Sequence, residues 1–207
     1  LAAWRKKTVR CQLCQENAVY KCSVCGKSVC AKHVKLKPIC NTCTGKRAVK
    51  YAVEKAVLSR DQGRIEELVQ LFWGEQVQLT FDGTYKVAEL PAFVAKAGGE
   101  VIGFVSFTER SNDLVIVALG VLPESQGAGV GSSLISKVEG EARKLGKKRI
   151  LVSTSNDDLP ALAFYQSLGF QIYEVKPNMI AEKHGRLMKG ISNLPIRDEL
   201  RLRKSVH

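Results

Sequence analysis

The chain has 207 residues, 45% of them hydrophobic, which suits one medium domain plus a small one. Its longest apolar runs, such as Leu114 to Leu122, are too short to span a bilayer, and the start turns basic at Trp4 to Lys7 with no apolar leader segment, so a soluble cytoplasmic protein with no membrane partner is expected. The formal charge of +12 is uneven: residues 1–50 carry +11, with Glu16 as their one acid, and the remainder is nearly neutral.

All seven cysteines fall between Cys11 and Cys43. With one histidine they form four pairs at the same gap, Cys11/Cys14, Cys22/Cys25, Cys30/His33 and Cys40/Cys43. A two-residue gap lets a tight turn aim both side chains at one tetrahedral ion, so eight ligands fill two closed structural zinc sites. An odd cysteine count suits disulfides poorly, and thiolates with an imidazole suit zinc better than hard cations. The spacing alone leaves two groupings open, sequential or crossed. The order C-x2-C-x7-C-x2-C-x4-C-x2-H-x6-C-x2-C resembles a B-box zinc finger, although it ends on two cysteines where the B-box has two histidines. That resemblance implies a cross-brace, with Cys11, Cys14, Cys30 and His33 on one ion and Cys22, Cys25, Cys40 and Cys43 on the other.

The apolar residues of this segment, including Val19, Tyr20, Val24, Val29 and Ile39, are too few to form a core, so metal binding must supply its folding free energy. Two zinc ions with seven thiolates lower its charge to about +8, still strongly basic. Lys32, Lys35, Lys37, Lys46, Arg47 and Lys50 suit an acidic protein partner or nucleic acid. Few aromatics are interleaved for base stacking, which favours the protein partner. A zinc module over residues 1–47 is expected.

Residues 48–60 read as a linker turning into a first strand, and residues 61–207 as the second domain. Asp61 is placed to cap a helix carrying Ile65, Leu68, Val69, Leu71 and Phe72 at helical spacing. Leu90 to Ala97 and Val101 to Thr108, split by Gly98-Gly99-Glu100, read as a β-hairpin. The near-continuous apolar run Leu114 to Val121 predicts a buried central strand. A helix near Val130 to Leu145, a strand from Arg149 to Thr154, a helix from Leu159 to Leu168 and a strand from Phe170 to Val175 follow. The expected class is α/β (α+β), with a mixed, mostly antiparallel sheet flanked by helices.

The most informative junction lies between the apolar strand and the next helix, at Gln126-Gly127-Ala128-Gly129-Val130-Gly131. Glycines admit a ligand close to the backbone, and free amides at a helix N-terminus face anions, so a diphosphate fits there without a cationic side chain. A Rossmann site and a P-loop both lack their defining residues here. Gln126-x-x-Gly129-x-Gly131, after Val121-x-Pro123, resembles the Arg/Gln-x-x-Gly-x-Gly/Ala signature of GNAT acetyltransferases. Asn156 to Phe170, ending Ala161-Leu162-Ala163-Phe164-Tyr165-Gln166-Ser167-Leu168-Gly169-Phe170, resembles that family's second signature. Leu194-Pro195-Ile196-Arg197-Asp198-Glu199-Leu200 resembles the ending of a subgroup of it.

The resemblance spans roughly residues 50–207 and implies the GNAT fold and transfer of acetyl from acetyl-CoA to an amine, on a protein or a small molecule. The amides of Gln126 to Gly131 would hold the pyrophosphate, and the backbone of Leu119, Gly120 and Val121 would pair with the pantetheine arm. Tyr165 would protonate the departing thiolate, and Asn156 would bond the cofactor arm or cap the helix, although the family's asparagine position falls on Asp158. Many relatives carry a glutamate base where this chain has Val115, which cannot take a proton. Asp113, Glu109 and Glu75 are the other acids in view. A CoA-responsive binding protein without turnover is therefore the alternative.

Overall fold

The computed structural model describes residues 9–18, 20–21, 25–35, 39–40, 49–185, 188–190 and 194–206. The chain divides into two compact units, Leu1–Arg47 and Ala48–His207. No helix among the described residues is long and apolar enough to cross a membrane.

In the N-terminal unit, two-residue antiparallel ladders join Tyr20–Lys21 to Ser28–Val29 and Val34–Lys35 to Ile39–Cys40. A 3₁₀ turn spans Ala31–His33. Among its described residues the buried hydrophobic cluster is Cys11, Val29 and Cys30, with Leu13 and Ala18 packed against it. Two of these three are cysteines.

The second unit is built on a seven-stranded sheet. Its elements run β1 (Ala52–Lys55), α1 (Leu58–Trp73), β2 (Val77–Thr80), β3 (Gly83–Lys86), β4 (Ala92–Ala97), β5 (Glu100–Arg110), β6 (Asp113–Val121), α2 (Val130–Lys144), β7 (Arg149–Ser155), α3 (Leu159–Ser167), β8 (Gln171–Lys176), α4 (Met179–His184), β9 (Met188–Lys189), β10 (Pro195–Ile196) and β11 (Glu199–Ser205). Within the large sheet the order is β8-β11-β7-β6-β5-β4-β1. Only β6 and β7 run parallel; the other neighbours are antiparallel. The mixed, mostly antiparallel sheet is the one expected.

Both faces of the sheet are covered, which is why Leu114 to Ile116 reads as an unbroken apolar run. On one face α2 and α3 pack Leu134, Ile135, Val138 and Tyr165 against Val105, Ile116, Ile150, Val152 and Leu202. On the other, α1 sets Ile65, Leu68 and Val69 against Val94, Phe104 and Ala118. The β4–β5 hairpin turns on Gly98 and Gly99, whose φ of 57° and 89° suit a tight hairpin turn.

Two expectations change. Residues 48–60 hold a first strand, β1, at the sheet edge as read, but α1 already begins at Leu58. Asp61 therefore lies inside the first turn, where its carboxylate accepts from the Val57 amide at 2.9 Å and holds the helix start from within. The strand β11 was not anticipated at all, and it enters between β7 and β8.

Candidate active site and metal cluster

In the second unit the site is set by a divergence of strands. β6 and β7 pair in register only from Asp113/Arg149 to Ile116/Val152. Beyond that point the register of β6 against β5 slips at Val117, a bulge that bends the strand. From Ala118 to Val121 β6 pairs with β5 on one edge, and its other edge meets no strand among the described residues. The backbone of Leu119 and Val121 thus faces a gap between β6 and β7, with the Val121 carbonyl taken by the Gln126 side chain, and the remaining groups along that edge suit an extended ligand.

The loop Gln126 to Gly131 sits at the mouth of that gap. A 3₁₀ turn over Pro123–Ser125 reverses the chain, and the Gln126 side-chain amide donates to the Val121 carbonyl at 3.0 Å. Gly127 and Gly129 hold φ of 78° and 86°, a left-handed backbone that glycine adopts without strain. Gly129 is the N-cap of α2, and the first helical bond at that end runs from the Ser133 amide to the Gly129 carbonyl at 3.0 Å. The amides of Val130, Gly131 and Ser132 precede that bond and face out of the helix end. A Cβ on Gly131 would stand 3.1 Å from Phe164, so this glycine lets α3 approach the loop. Tyr51, from the segment before β1, bonds Ser133 at 2.8 Å and flanks Gly129.

Tyr165 lies on α3, 5% exposed, edge-on to Phe164 and Phe170. Burial pushes its phenol above the ordinary range, with the Asp158 carboxylate adding to the shift, so it stays protonated at neutral pH. That is the state a proton donor needs.

Asn156 is committed elsewhere. Its side-chain nitrogen donates to the Pro195 carbonyl at 2.8 Å, and its oxygen accepts from the Arg197 and Asp198 amides at 2.8 and 2.9 Å. It neither caps α3 nor points an idle amide toward a cofactor. The cap is Asp158, the residue at the family's asparagine position, which accepts from the Ala161 amide at 3.1 Å.

The acids considered as bases are also engaged or remote. Asp113 forms a forked pair with Arg149 at 2.7 and 2.9 Å, at the far end of β6, about 20 Å of strand from Leu119. Glu109 pairs with Lys147 at 2.7 Å beside it. Glu75 follows α1 and is exposed. Val115 is fully buried in a plug with Phe81 and Leu151, where a lone carboxylate would be stranded.

Sequence reasoning missed a polar network on that same face. Thr80 and Ser153 hydroxyls lie 2.6 Å apart, and Thr80 reaches Glu199 at 3.5 Å. Glu199 is buried and also accepts from the Phe81 amide at 3.2 Å. Arg201, 5% exposed, grips Glu199 at 2.9 Å, Asp82 at 3.1 Å and Glu174 at 3.2 Å, and covers the Phe81 ring. The alternation Glu199-Leu200-Arg201-Leu202-Arg203 was the available signal.

In the N-terminal unit, donor atoms of Cys11, Cys14, Cys30 and His33 all lie within 4.8 Å of one another. The separations are 3.6 Å for Cys14–Cys30, 3.6 Å for Cys11–His33 and 3.4 Å for Cys30–His33. A tetrahedral zinc ion with ordinary bond lengths sets such edges at about 3.6–3.8 Å, so the four donors fit one ion. The Leu13 amide points at the Cys11 sulfur at 3.4 Å, as a knuckle turn requires. Burial opposes ionisation of Cys11, but the Leu13, Cys30 and Cys14 amides and His33 outweigh it and bring the thiol to about 6. This tetrad is the one a cross-brace puts on a single ion. Of the other four expected ligands, Cys22 and Cys43 lie outside the described residues, and nothing of the Cys40 side chain is described.

Residues 63–170 match the profile of the Acetyltransferase (GNAT) family. YdhI, an uncharacterized protein of Bacillus subtilis, is 34% identical over 140 residues, covering 65% of this chain and 86% of YdhI. The L-amino acid N-acyltransferase MnaT of Escherichia coli is 33% identical over 105 residues, covering 48% of this chain and 60% of MnaT. A Bacillus subtilis acetyltransferase solved in complex with CoA superposes with a TM-score of 0.63 at 23% identity, covering 76% of this chain and all of that one. With the diverging strands and the glycine loop between them, the chain belongs to the GNAT acetyltransferase family and is an acetyl-CoA-dependent N-acyltransferase.

Proposed function

We propose that this enzyme transfers acetyl from acetyl-CoA to the amine of a small, amino-acid-like acceptor, and that its zinc module engages a protein partner. The observation that carries the first part is the gap between β6 and β7, open from Ala118 to Val121 and closed at its mouth by Gln126 to Gly131. In this reading the amides from Gly127 to Gly131 bind the pyrophosphate, Leu119 to Val121 pair with the pantetheine arm, and Tyr165 protonates the leaving thiolate. Asn156 holds residues 195–198 and not the cofactor. The name of MnaT supports an amino-acid acceptor over a protein lysine or N-terminus. The test is thiol release from acetyl-CoA with panels of free amino acids, small amines and peptides. Turnover confined to the peptides would remove the small-acceptor assignment.

Tyr165→Phe should lower kcat about 100-fold while leaving the KM for acetyl-CoA nearly unchanged. Unaltered kcat would take Tyr165 out of the mechanism. The buried Val115 supports a second reading, an acetyl-CoA-binding regulatory protein without turnover. Calorimetric binding of acetyl-CoA with no thiol release on any acceptor would favour it, and no binding would sink both.

The metal reading rests on the tetrad Cys11, Cys14, Cys30 and His33, with a second zinc on Cys22, Cys25, Cys40 and Cys43. Both ions are structural, since four protein donors leave no open position. The basic surface, about +8 after metallation, supports an acidic protein partner. Nucleic acid is the competing partner, and it predicts an affinity that falls steeply with salt.

A further inference from the structure

The mechanism lacks a proton acceptor at Val115, and the same face of the sheet offers a chain of groups that leads from the strand gap to a buried carboxylate. Ser153 is the first residue of β7 beyond Val152, where pairing to β6 ends, so it stands at the root of the gap. It points away from α2 and α3: Val152 belongs to the core under those helices, and Ser153, by strand alternation, faces the hairpin of β2 and β3. The cofactor loop caps α2 on the opposite face, which leaves the Ser153 side to the acceptor.

The direction of the hydrogen bonds follows from the carboxylate. An ionised Glu199 can only accept, so Thr80 must donate to it. The Thr80 oxygen is then the acceptor for Ser153, 2.6 Å away. Ser153, having spent its proton on Thr80, turns lone pairs toward the gap. We propose that Ser153, Thr80 and Glu199 form a proton relay that replaces the absent glutamate on β6 and accepts the proton of the acceptor amine. This rests on the amine-transfer reading above.

The step balances without a further reactant. The acceptor's ammonium gives one proton to Ser153 Oγ as the Ser153 proton moves to Thr80 and the Thr80 proton to Glu199, which becomes a neutral acid. The freed amine nitrogen then bonds the thioester carbonyl carbon, the carbon–sulfur bond breaks, and the thiolate takes its proton from Tyr165. The second nitrogen proton restores the Tyr165 phenol as the amide forms, and Glu199 later releases its proton to solvent. Neutralising Glu199 does not strand Arg201, because Asp82 and Glu174 remain on its guanidinium. Further charged or titratable groups near the relay include Lys176, paired with Glu174 at 2.8 Å, Arg110, which donates to the Phe81 carbonyl at 3.2 Å, and Tyr173, which lies close enough to Glu174 and Arg201 to feel their charges. Ser153 is the catalytic residue of this set, and Thr80 and Glu199 act through it as positioning residues.

Thr80→Val keeps the shape of the side chain and removes the relay's middle oxygen, whereas Thr80→Ser keeps that oxygen. The experiment measures kcat/KM for the acceptor from pH 6 to 10 in both variants, using L-methionine and n-propylamine as probe acceptors, with acetyl-CoA affinity measured in parallel. The relay predicts a loss of about 100-fold in Thr80→Val at pH 7. The loss narrows as the pH rises and the amine arrives already neutral, Thr80→Ser restores activity to within a few-fold, and acetyl-CoA affinity stays constant throughout. A Thr80→Val enzyme with the wild-type pH profile overturns the relay while leaving acetyl transfer intact. A pH-independent loss, or one that Thr80→Ser does not repair, overturns it as well, because it marks a packing defect. Ser153→Ala must show the same pH-dependent loss, and its absence there counts against the relay equally. Wild-type enzyme that binds acetyl-CoA yet turns over neither these probes nor any panel acceptor sinks the amine-transfer reading itself.

Discussion

The two units of this chain reach order by different physics. In Ala48–His207 the sheet is sealed on both faces by apolar side chains, and the buried residues form large continuous clusters. Among the described residues of the N-terminal unit the buried cluster is Cys11, Val29 and Cys30, two of them members of the Cys/His tetrad. There the donors that would hold an ion also make the core. The difference teaches that one region is legible through hydrophobic patterning and the other only through ligand spacing.

The largest expected effect follows from that contrast. Stripping metal with a chelator, or replacing Cys30 by Ser, should unfold the N-terminal unit, since structural zinc contributes on the order of 10 kcal/mol to so small a module. Acetyl-CoA binding by the second unit should persist. Metal analysis should find two zinc ions per chain in the intact protein; an N-terminal unit that keeps its circular dichroism after metal is gone would erase the contrast.

Installing the family's glutamate should come next. Val115→Glu puts a carboxylate into the apolar plug of Phe81 and Leu151, and should cost about 3 kcal/mol or more in urea unfolding. It should not raise turnover. A stable, faster Val115→Glu enzyme would show that the plug opens and would weaken the relay.

The smallest effect concerns α1. Arg60 beside Asp61 holds that carboxyl well below its usual range; burial opposes this, and Lys96 and the Val57 amide add to it. A folded pKa below the unfolded value means the stabilisation is present above about pH 4 and is lost as pH falls through the folded value. Asp61→Asn should therefore cost about 1–2 kcal/mol at pH 7, with the gap to wild type narrowing below pH 4. A gap that holds constant to pH 2 would assign the cost to packing.

Much of the second unit was legible in the sequence because its signals are local. The apolar run ending at Val121, the glycines at 127, 129 and 131, and the Ala161 to Phe170 segment each carry their own geometry. What escaped depends on partners distant in sequence. β11 alternates charged and apolar residues plainly, but its place between β7 and β8 is fixed only by pairing to both. The β2–β3 hairpin turns at Phe81 and Asp82, with φ of 49° and 63°, where glycine or asparagine would have announced the turn. That unannounced turn carries Phe81 onto Val115. Asn156 looked like a cofactor ligand because its type matched, and only the fold reveals that its amide is spent on Pro195, Arg197 and Asp198. In the N-terminal unit, the spacing picked out the cysteine and histidine pairs but left their grouping open, and the clustering of Cys11, Cys14, Cys30 and His33 is a statement about three dimensions.

The central claim is that the loop Gln126 to Gly131 and the open edge of β6 bind acetyl-CoA. Calorimetric titration of acetyl-CoA into the wild-type chain and into Gly129→Val tests it most directly, because a branched side chain at φ 86° obstructs the cradle itself. The account predicts saturable one-to-one binding in the wild type, weakened at least tenfold in a Gly129→Val variant that melts cooperatively. Equal affinity in the two proteins, or no binding to the wild type, would contradict it.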